Sequence, residues 1–294
     1  MLMTLASASC MLARPALKSA GAPPAALGAV AVEFASKSGS VIHAWFMRGR
    51  PGSGAVLLLH GVGENRAAML GRARFLHDAG FTVLAPDFQA HGESLGDHIT
   101  FGALESKDAE AAMDYLHTAN PDERIGVIGV SMGGAAALIG SAARQTDAVV
   151  LESVYPTFRD AVSDRLETWF GPFWFLGPPL APALIGMVVP SIGVNEDQLR
   201  PIDRIGCARA PILLIAGTAD SYTPLAESQA LFARARSPKE LWAVEGAGHE
   251  DLHAFAKTEY ERRVGSFFAE HLGKVRIADP ALTAPTPPDS SPGC

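Results

Sequence analysis

The sequence predicts an α/β fold: a mostly parallel central sheet with helices on both faces and a cap inserted near its middle. Three observations carry this. Short runs rich in β-branched residues alternate with helix-length patterns along most of the chain. These runs are apolar throughout rather than alternately apolar and polar, as strands covered on both faces are. The alternation breaks once, between Ser153 and Pro211, a gap far longer than an ordinary strand-to-helix connection.

Taken in order, Val30-Phe34 and Val41-Met47, separated by Ser38-Gly39, read as an antiparallel hairpin. The buried strands follow as Val56-Leu59, Phe81-Ala85, Ile125-Val130, Ala148-Leu151, Pro211-Ile215 and Leu241-Val244. Helices are expected over 66–79, 104–118, 132–143, 223–235 and 253–271. The α/β domain then spans 30–272, with a cap insertion over about 155–206. The heart of that insertion, Thr168 to Asn195, has no charged residue and is long enough to cross a bilayer, which takes about 20 apolar residues. Its prolines and glycines would break a span repeatedly. A short helical cap over a site is therefore expected, with a membrane-touching lid or a spanning helix as the alternatives.

Residues 1–29 and 273–294 are low-complexity segments, the second Pro-rich, and both are expected to be disordered. Ala6-Ser7-Ala8 resembles the cleavage site of an export signal, but no Lys or Arg precedes the apolar stretch. A cytoplasmic protein is the expectation, with export or membrane anchoring the alternative if translation starts further upstream. Forty-eight per cent of the 294 residues are apolar, enough for a sizeable core, and a net charge of -7 offers no field for a polyanion. Nucleic acid is excluded as an expected partner. Cys10, Cys207 and Cys294 form no even framework and have no metal-ligand spacing, so neither a structural disulfide nor a metal site is expected.

Gly-x-Ser-x-Gly occurs twice, as Gly92-Glu93-Ser94-Leu95-Gly96 and Gly129-Val130-Ser131-Met132-Gly133. Ser131 directly follows a strand and precedes an Ala-rich helix, the setting of a nucleophile elbow, whereas no strand runs into Ser94, which reads as a turn residue. A serine hydroxyl needs a base to take its proton. His249, in Gly246-Ala247-Gly248-His249-Glu250, lies just past the carboxyl end of the last strand, and Asp220 follows the penultimate one. Loops at these strand ends are where active sites of open α/β sheets gather. Glu152 is the rival acid. Attack on an ester carbonyl creates an oxyanion that two backbone N–H groups must meet. Met132 supplies one and Val62, in His60-Gly61-Val62-Gly63, the other, while His60 reads as a hydrogen-bonder beneath that loop.

The segments LLLHGVGENR, PDFQAHGES, IGVIGVSMGG, LLIAGTADSYTP and EGAGH, in this order, closely resemble bacterial α/β-hydrolases of the serine aminopeptidase and BEM46-like kind. The resemblance implies the α/β-hydrolase fold and carboxylic-ester hydrolysis more often than peptide hydrolysis. Where that family commonly reads D-x-R-G-H-G-x-S, Gln89 and Ala90 replace Arg and Gly here.

The expected activity is two-step acyl transfer on a small-molecule ester: Ser131 as nucleophile, His249 as base, Asp220 as the acid that orients it, and no cofactor or metal. A thioesterase, peptidase or acyltransferase would use the same triad, and a non-catalytic scaffold is the alternative of a different class. Trp169, Phe173 and Trp174 of the cap offer an apolar wall for an acyl or aromatic group, or else form the cap's own core or a subunit contact.

Overall fold

The computed structural model describes residues 12–273. Each apolar run forms a strand: Val30–Ala35 (β1), Val41–Met47 (β2), Ala55–Leu59 (β3), Thr82–Pro86 (β4), Ile125–Val130 (β5), Ala148–Glu152 (β6), Ile212–Gly217 (β7) and Lys239–Val244 (β8). They make one sheet in the order β1-β2-β4-β3-β5-β6-β7-β8. The β1–β2 and β2–β4 pairings are antiparallel and every later one is parallel. The expected hairpin and parallel sheet are both present.

Burial on two faces follows from the period of two. Ala55, Leu57 and Leu59 of β3 point into one core with Met113, Ala135 and Leu231, while Val56 and Leu58 point into the other with Leu76, Val264 and Phe268. The first core is covered by Glu105–Ala119 (α2), Met132–Ile139 (α3) and Leu225–Arg234 (α6); the second by Leu70–Ala79 (α1), Leu252–Phe255 (α7) and Lys257–Leu272 (α8).

The connection from β6 to β7 carries the two remaining α-helices, Phe158–Phe170 (α4) and Gly177–Ser191 (α5), joined by a 3-10 turn. They bury Phe158, Val162 and Leu166 against Ala181, Leu184, Ile185 and Val188, a third small core. Proline does not fragment α5 as its frequency suggests. Pro178 and Pro179 sit in the first turn, where an N–H lacks an intrahelical acceptor anyway, and the helix continues past Pro182 and Pro190. Among the described residues no helix is long and apolar enough to cross a membrane.

Two expectations change. From residue 12 onward the N-terminal segment is placed against the body: Ala13 and Leu27 are buried, and Ala16 bridges to His91 in parallel. Backbone hydrogen bonds, which need no apolar side chains, hold it there. Cys207 is disulfide-bonded; an odd cysteine count excludes a fully paired framework but not a single pair. Its partner, the Ala6-Ser7-Ala8 motif and the tail beyond Gly273 lie outside the described residues.

Candidate active site

Between β5 and α3 the chain must turn sharply, and Ser131 takes the strain with φ 50° and ψ -116°. Such backbone costs on the order of 1–3 kcal/mol. The glycines explain why the turn closes. A Cβ at Gly129 would lie 2.5 Å from Gly134 Cα, and one at Gly133 would lie 2.3 Å from the Leu59 carbonyl oxygen. Ser131 N–H donates to the Glu152 carbonyl at 2.8 Å, tying the elbow to β6. Among the described residues the buried Ser131 hydroxyl has no hydrogen-bond partner. Met132 opens α3, so its N–H belongs to the first turn, which has no intrahelical acceptor.

His249 and Asp220 arrive from the neighbouring strands β8 and β7. Their loops are laced together: Thr218 N–H donates to the Val244 carbonyl and Ala219 N–H to that of Ala247. Gly217 permits the approach, since a Cβ there would meet the Ala247 oxygen at 2.2 Å. Asp220 Oδ2 lies 2.9 Å from His249 Nδ1. A carboxylate only accepts, so Nδ1 carries the proton and Nε2 keeps its lone pair. The Asp220 side chain is fully buried and also accepts from the Thr223 hydroxyl at 2.7 Å and from the N–H groups of Tyr222 and Thr223. Burial pushes its pKa up, but the hydrogen bond and charge of His249 and the Thr223 donors outweigh this and hold it below the ordinary value.

The loop after β3 is fixed from beneath by two histidines. Phe88 N–H donates to His60 Nε2 at 3.1 Å, so His60 donates from Nδ1 to the Gly61 carbonyl at 2.7 Å. Likewise Gly63 N–H donates to His91 Nε2, and His91 Nδ1 lies 2.9 Å from the Gln89 carbonyl. Gly61 N–H donates to Glu64 Oε2. The amides on either side of Val62 are thus committed, and the loop lies against the elbow: a Cβ at Gly61 would be 3.8 Å from Ser131 Cβ. Gly61, Val62, Ser131 and His249 line one cavity of about 300 Å³, together with Arg72, Glu152 and Arg165.

Residues 56–262 match the alpha/beta hydrolase family. The chain belongs to that family. Relatives include YqkD of Bacillus subtilis (strain 168), 26% identical over 70% of this chain and 70% of its own, and YfhR of Salmonella typhi, 28% identical over 78% and 77%. Among solved structures, the Pyrococcus furiosus esterase Pf2001 is 26% identical with a TM-score of 0.73, covering 89% of this chain and 99% of its own.

Several residues of this hydrolase sit where the motifs alone leave a choice. Glu152 is held by Arg72 through two hydrogen bonds, Nε to Oε1 at 2.9 Å and Nη2 to Oε2 at 2.6 Å, and accepts from the Tyr260 hydroxyl. Its charge is spent on Arg72, not on His249. Ser94 is buried, its hydroxyl accepting from His43 N–H and donating to the Asp87 carbonyl. Gln89 donates to Glu105 Oε1 and the His98 carbonyl, and Ala90 takes a positive φ of 59°. Trp169 and Phe173, each 61% exposed, line neither this cavity nor the apolar one beside it, and the Trp174 side chain lies outside the described residues. Thr223, Arg72, Tyr260 and Arg165 were not singled out from the sequence; only Thr223, three residues after Asp220, carried a local signal.

Proposed function

We propose that this protein is a carboxylic-ester hydrolase working through an acyl-enzyme, and that within its family it is of the serine aminopeptidase and BEM46-like kind. The observation that carries the reading is the strained elbow that brings the Ser131 hydroxyl, unpartnered among the described residues, into the cavity shared with His249, whose Nδ1 is bonded to Asp220. Backbone strain and an unsatisfied buried hydroxyl are both unfavourable for folding, and both suit a nucleophile. The likeness to an esterase over nearly the whole fold supports an ester substrate.

In this mechanism His249 Nε2 takes the Ser131 proton as Oγ attacks the carbonyl carbon, and the oxygen becomes an oxyanion held by the N–H groups of Val62 and Met132. Imidazolium then protonates the departing alcohol. Water, deprotonated by the same nitrogen, attacks the acyl carbon, and the proton returns to Ser131 as the acid leaves. Asp220 stays ionised throughout and stabilises the imidazolium. The β6–β7 insertion serves as a cap, with Arg165 of α4 reaching the cavity.

The test is covalent labelling by a fluorophosphonate together with hydrolysis of p-nitrophenyl esters. Labelling of the wild type, lost in Ser131→Ala, is the expected result; a folded wild type that neither labels nor turns over any ester refutes the reading.

A further inference from the structure

Beside the cavity that holds Ser131 and His249 lies a second, apolar one of about 130 Å³. Val62, Met132, Phe101, Tyr155 and Phe158 line it, and so does Leu12 from the N-terminal segment. Its polar atoms are satisfied elsewhere: the Tyr155 hydroxyl donates to the Phe101 carbonyl at 2.9 Å, and the Phe101 and Phe158 rings pack with centroids 4.6 Å apart. Val62 and Arg165 line both cavities, whereas His249 lines only the first. An ester whose carbonyl oxygen faces Val62 and Met132 therefore has two sides available. The alcohol must lie toward His249, which protonates it, so the acyl chain falls into the apolar cleft.

The placement of Leu12 is not incidental packing of a loose end. Residues 12–18 are strapped across the Ala90–Gly92 loop by a run of backbone hydrogen bonds: Ala16 N–H to the Ala90 carbonyl at 2.7 Å, Gly92 N–H to that of Ala16 at 3.1 Å and Lys18 N–H to that of Gly92 at 3.0 Å. Ile99 N–H donates to the Ala13 carbonyl at 2.8 Å, and Asn65 Nδ2 to that of Lys18 at 2.9 Å. The same loop carries His91, which accepts from the amide next to Val62. Strap, oxyanion loop and cleft are one connected unit.

We propose that this strap sets substrate specificity: Leu12 forms the outer wall of an acyl-binding cleft and confines it to acyl groups of about six carbons. An apolar cavity of roughly 150 Å³ holds a benzene-sized guest, which sets that limit. The proposal rests on the acyl-enzyme reading given above. Shortening the wall opens the cleft to longer chains; enlarging it closes the cleft to all but the shortest.

The experiment compares full-length wild type, Leu12→Ala, Leu12→Trp and Leu17→Ala by fluorophosphonate labelling and by kcat/KM on p-nitrophenyl butanoate, hexanoate, octanoate and decanoate. Leu17 belongs to the same strap but is 49% exposed and lines neither cavity. Leu12→Ala is expected to raise the decanoate-to-butanoate ratio about tenfold or more, on the scale of one or two apolar contacts. Leu12→Trp lowers the hexanoate-to-butanoate ratio, and Leu17→Ala reproduces the wild-type profile. Leu12 is half-buried and Leu12→Ala only shortens it, so that variant decides the matter even if Leu12→Trp does not fold. Normal labelling with an unchanged Leu12→Ala profile, or a shift equally large in Leu17→Ala, overturns the strap proposal alone. A wild type that does not label overturns the acyl-enzyme reading and the strap proposal with it.

Discussion

The two Gly-x-Ser-x-Gly segments spell the same pattern and have opposite physical character. At Gly129–Gly133 a strand runs into the motif, the serine is driven to φ 50°, and its hydroxyl is buried without a partner among the described residues. At Gly92–Gly96 no strand enters and Ser94 does not have a positive φ. Its hydroxyl is used on both sides, by His43 N–H at 3.0 Å and the Asp87 carbonyl at 2.9 Å. A motif names residue types; the segment before it decides whether the backbone is strained, and strain with an unmet hydrogen bond separates a candidate nucleophile from a structural serine.

The largest expected effect breaks the pair apart directly. Ser131→Ala should lower ester kcat by about 10⁴ to 10⁶ while circular dichroism and melting stay near wild type, because no hydrogen bond of the hydroxyl is lost. Next comes the acid. Asp220→Asn presents an amide to His249 in place of a carboxylate and should cost on the order of 10⁴ in turnover with folding intact. Glu152→Gln should instead act on stability, since it takes the buried carboxylate from Arg72 and leaves it, among the described residues, only the part-exposed Asp251, 2.9 Å from Nη1, as counter-charge, a loss of about 1–3 kcal/mol seen in denaturant unfolding. An active Asp220→Asn beside a folded, inactive Glu152→Gln would transfer the acid role to Glu152.

The sheet and the elbow were legible because they rest on short-range signals: apolar runs of strand length, and glycines at fixed offsets from a serine that follows a strand. Glu152 could not be settled that way, because its partners Arg72 and Tyr260 are 80 and 108 residues distant. Nor could the N-terminal strap, whose docking uses mostly backbone N–H and carbonyl groups that leave little mark on residue type. The role of the cap aromatics Trp169, Phe173 and Trp174 could not be read for a third reason. Composition marks 168–195 as apolar without saying which face meets the body, and the aromatics that line the cleft are Phe101, Tyr155 and Phe158, outside that stretch.

His60 joins the two serine regions, bonding to the Gly61 carbonyl on one side and the Phe88 amide on the other. Burial, then the nearby His91, pushes its pKa down to about 3, against the opposing pull of the Gly61 carbonyl. It must stay neutral, because imidazolium has no lone pair for Phe88 N–H. The unfolded chain takes up the proton near pH 6.5, the folded one only near 3, so between those values the unfolded state binds more protons and stability falls as pH falls. His91, also lowered, chiefly by burial, acts in the same direction. Each contributes a slope of up to about 1.4 kcal/mol per pH unit. Urea unfolding of His60→Gln between pH 6 and 4.5 should show a pH slope shallower than wild type by about 1 kcal/mol per unit; equal slopes would mean that His60 is already charged in the folded protein.

The smallest effect is expected at Ser94, and it tests the other half of the comparison. Ser94→Ala removes one acceptor and one donor from a fully buried position, leaving His43 N–H and the Asp87 carbonyl without that partner. An orphaned buried group costs about 1–3 kcal/mol. At about 2–4 °C per kcal/mol for a protein of this size, the melting temperature should drop by several degrees. Turnover should not follow, because Asp87 keeps Arg66 N–H and Glu93 N–H on its carboxylate, and His91 keeps its grip on Gly63 beside Val62. The expected Ser94→Ala enzyme is therefore less stable, labels fully with fluorophosphonate and retains kcat within about tenfold. If Ser94→Ala melts normally yet loses labelling as completely as Ser131→Ala, hydrogen-bond satisfaction does not distinguish the two serines, and the strain at Ser131 must have a structural explanation instead.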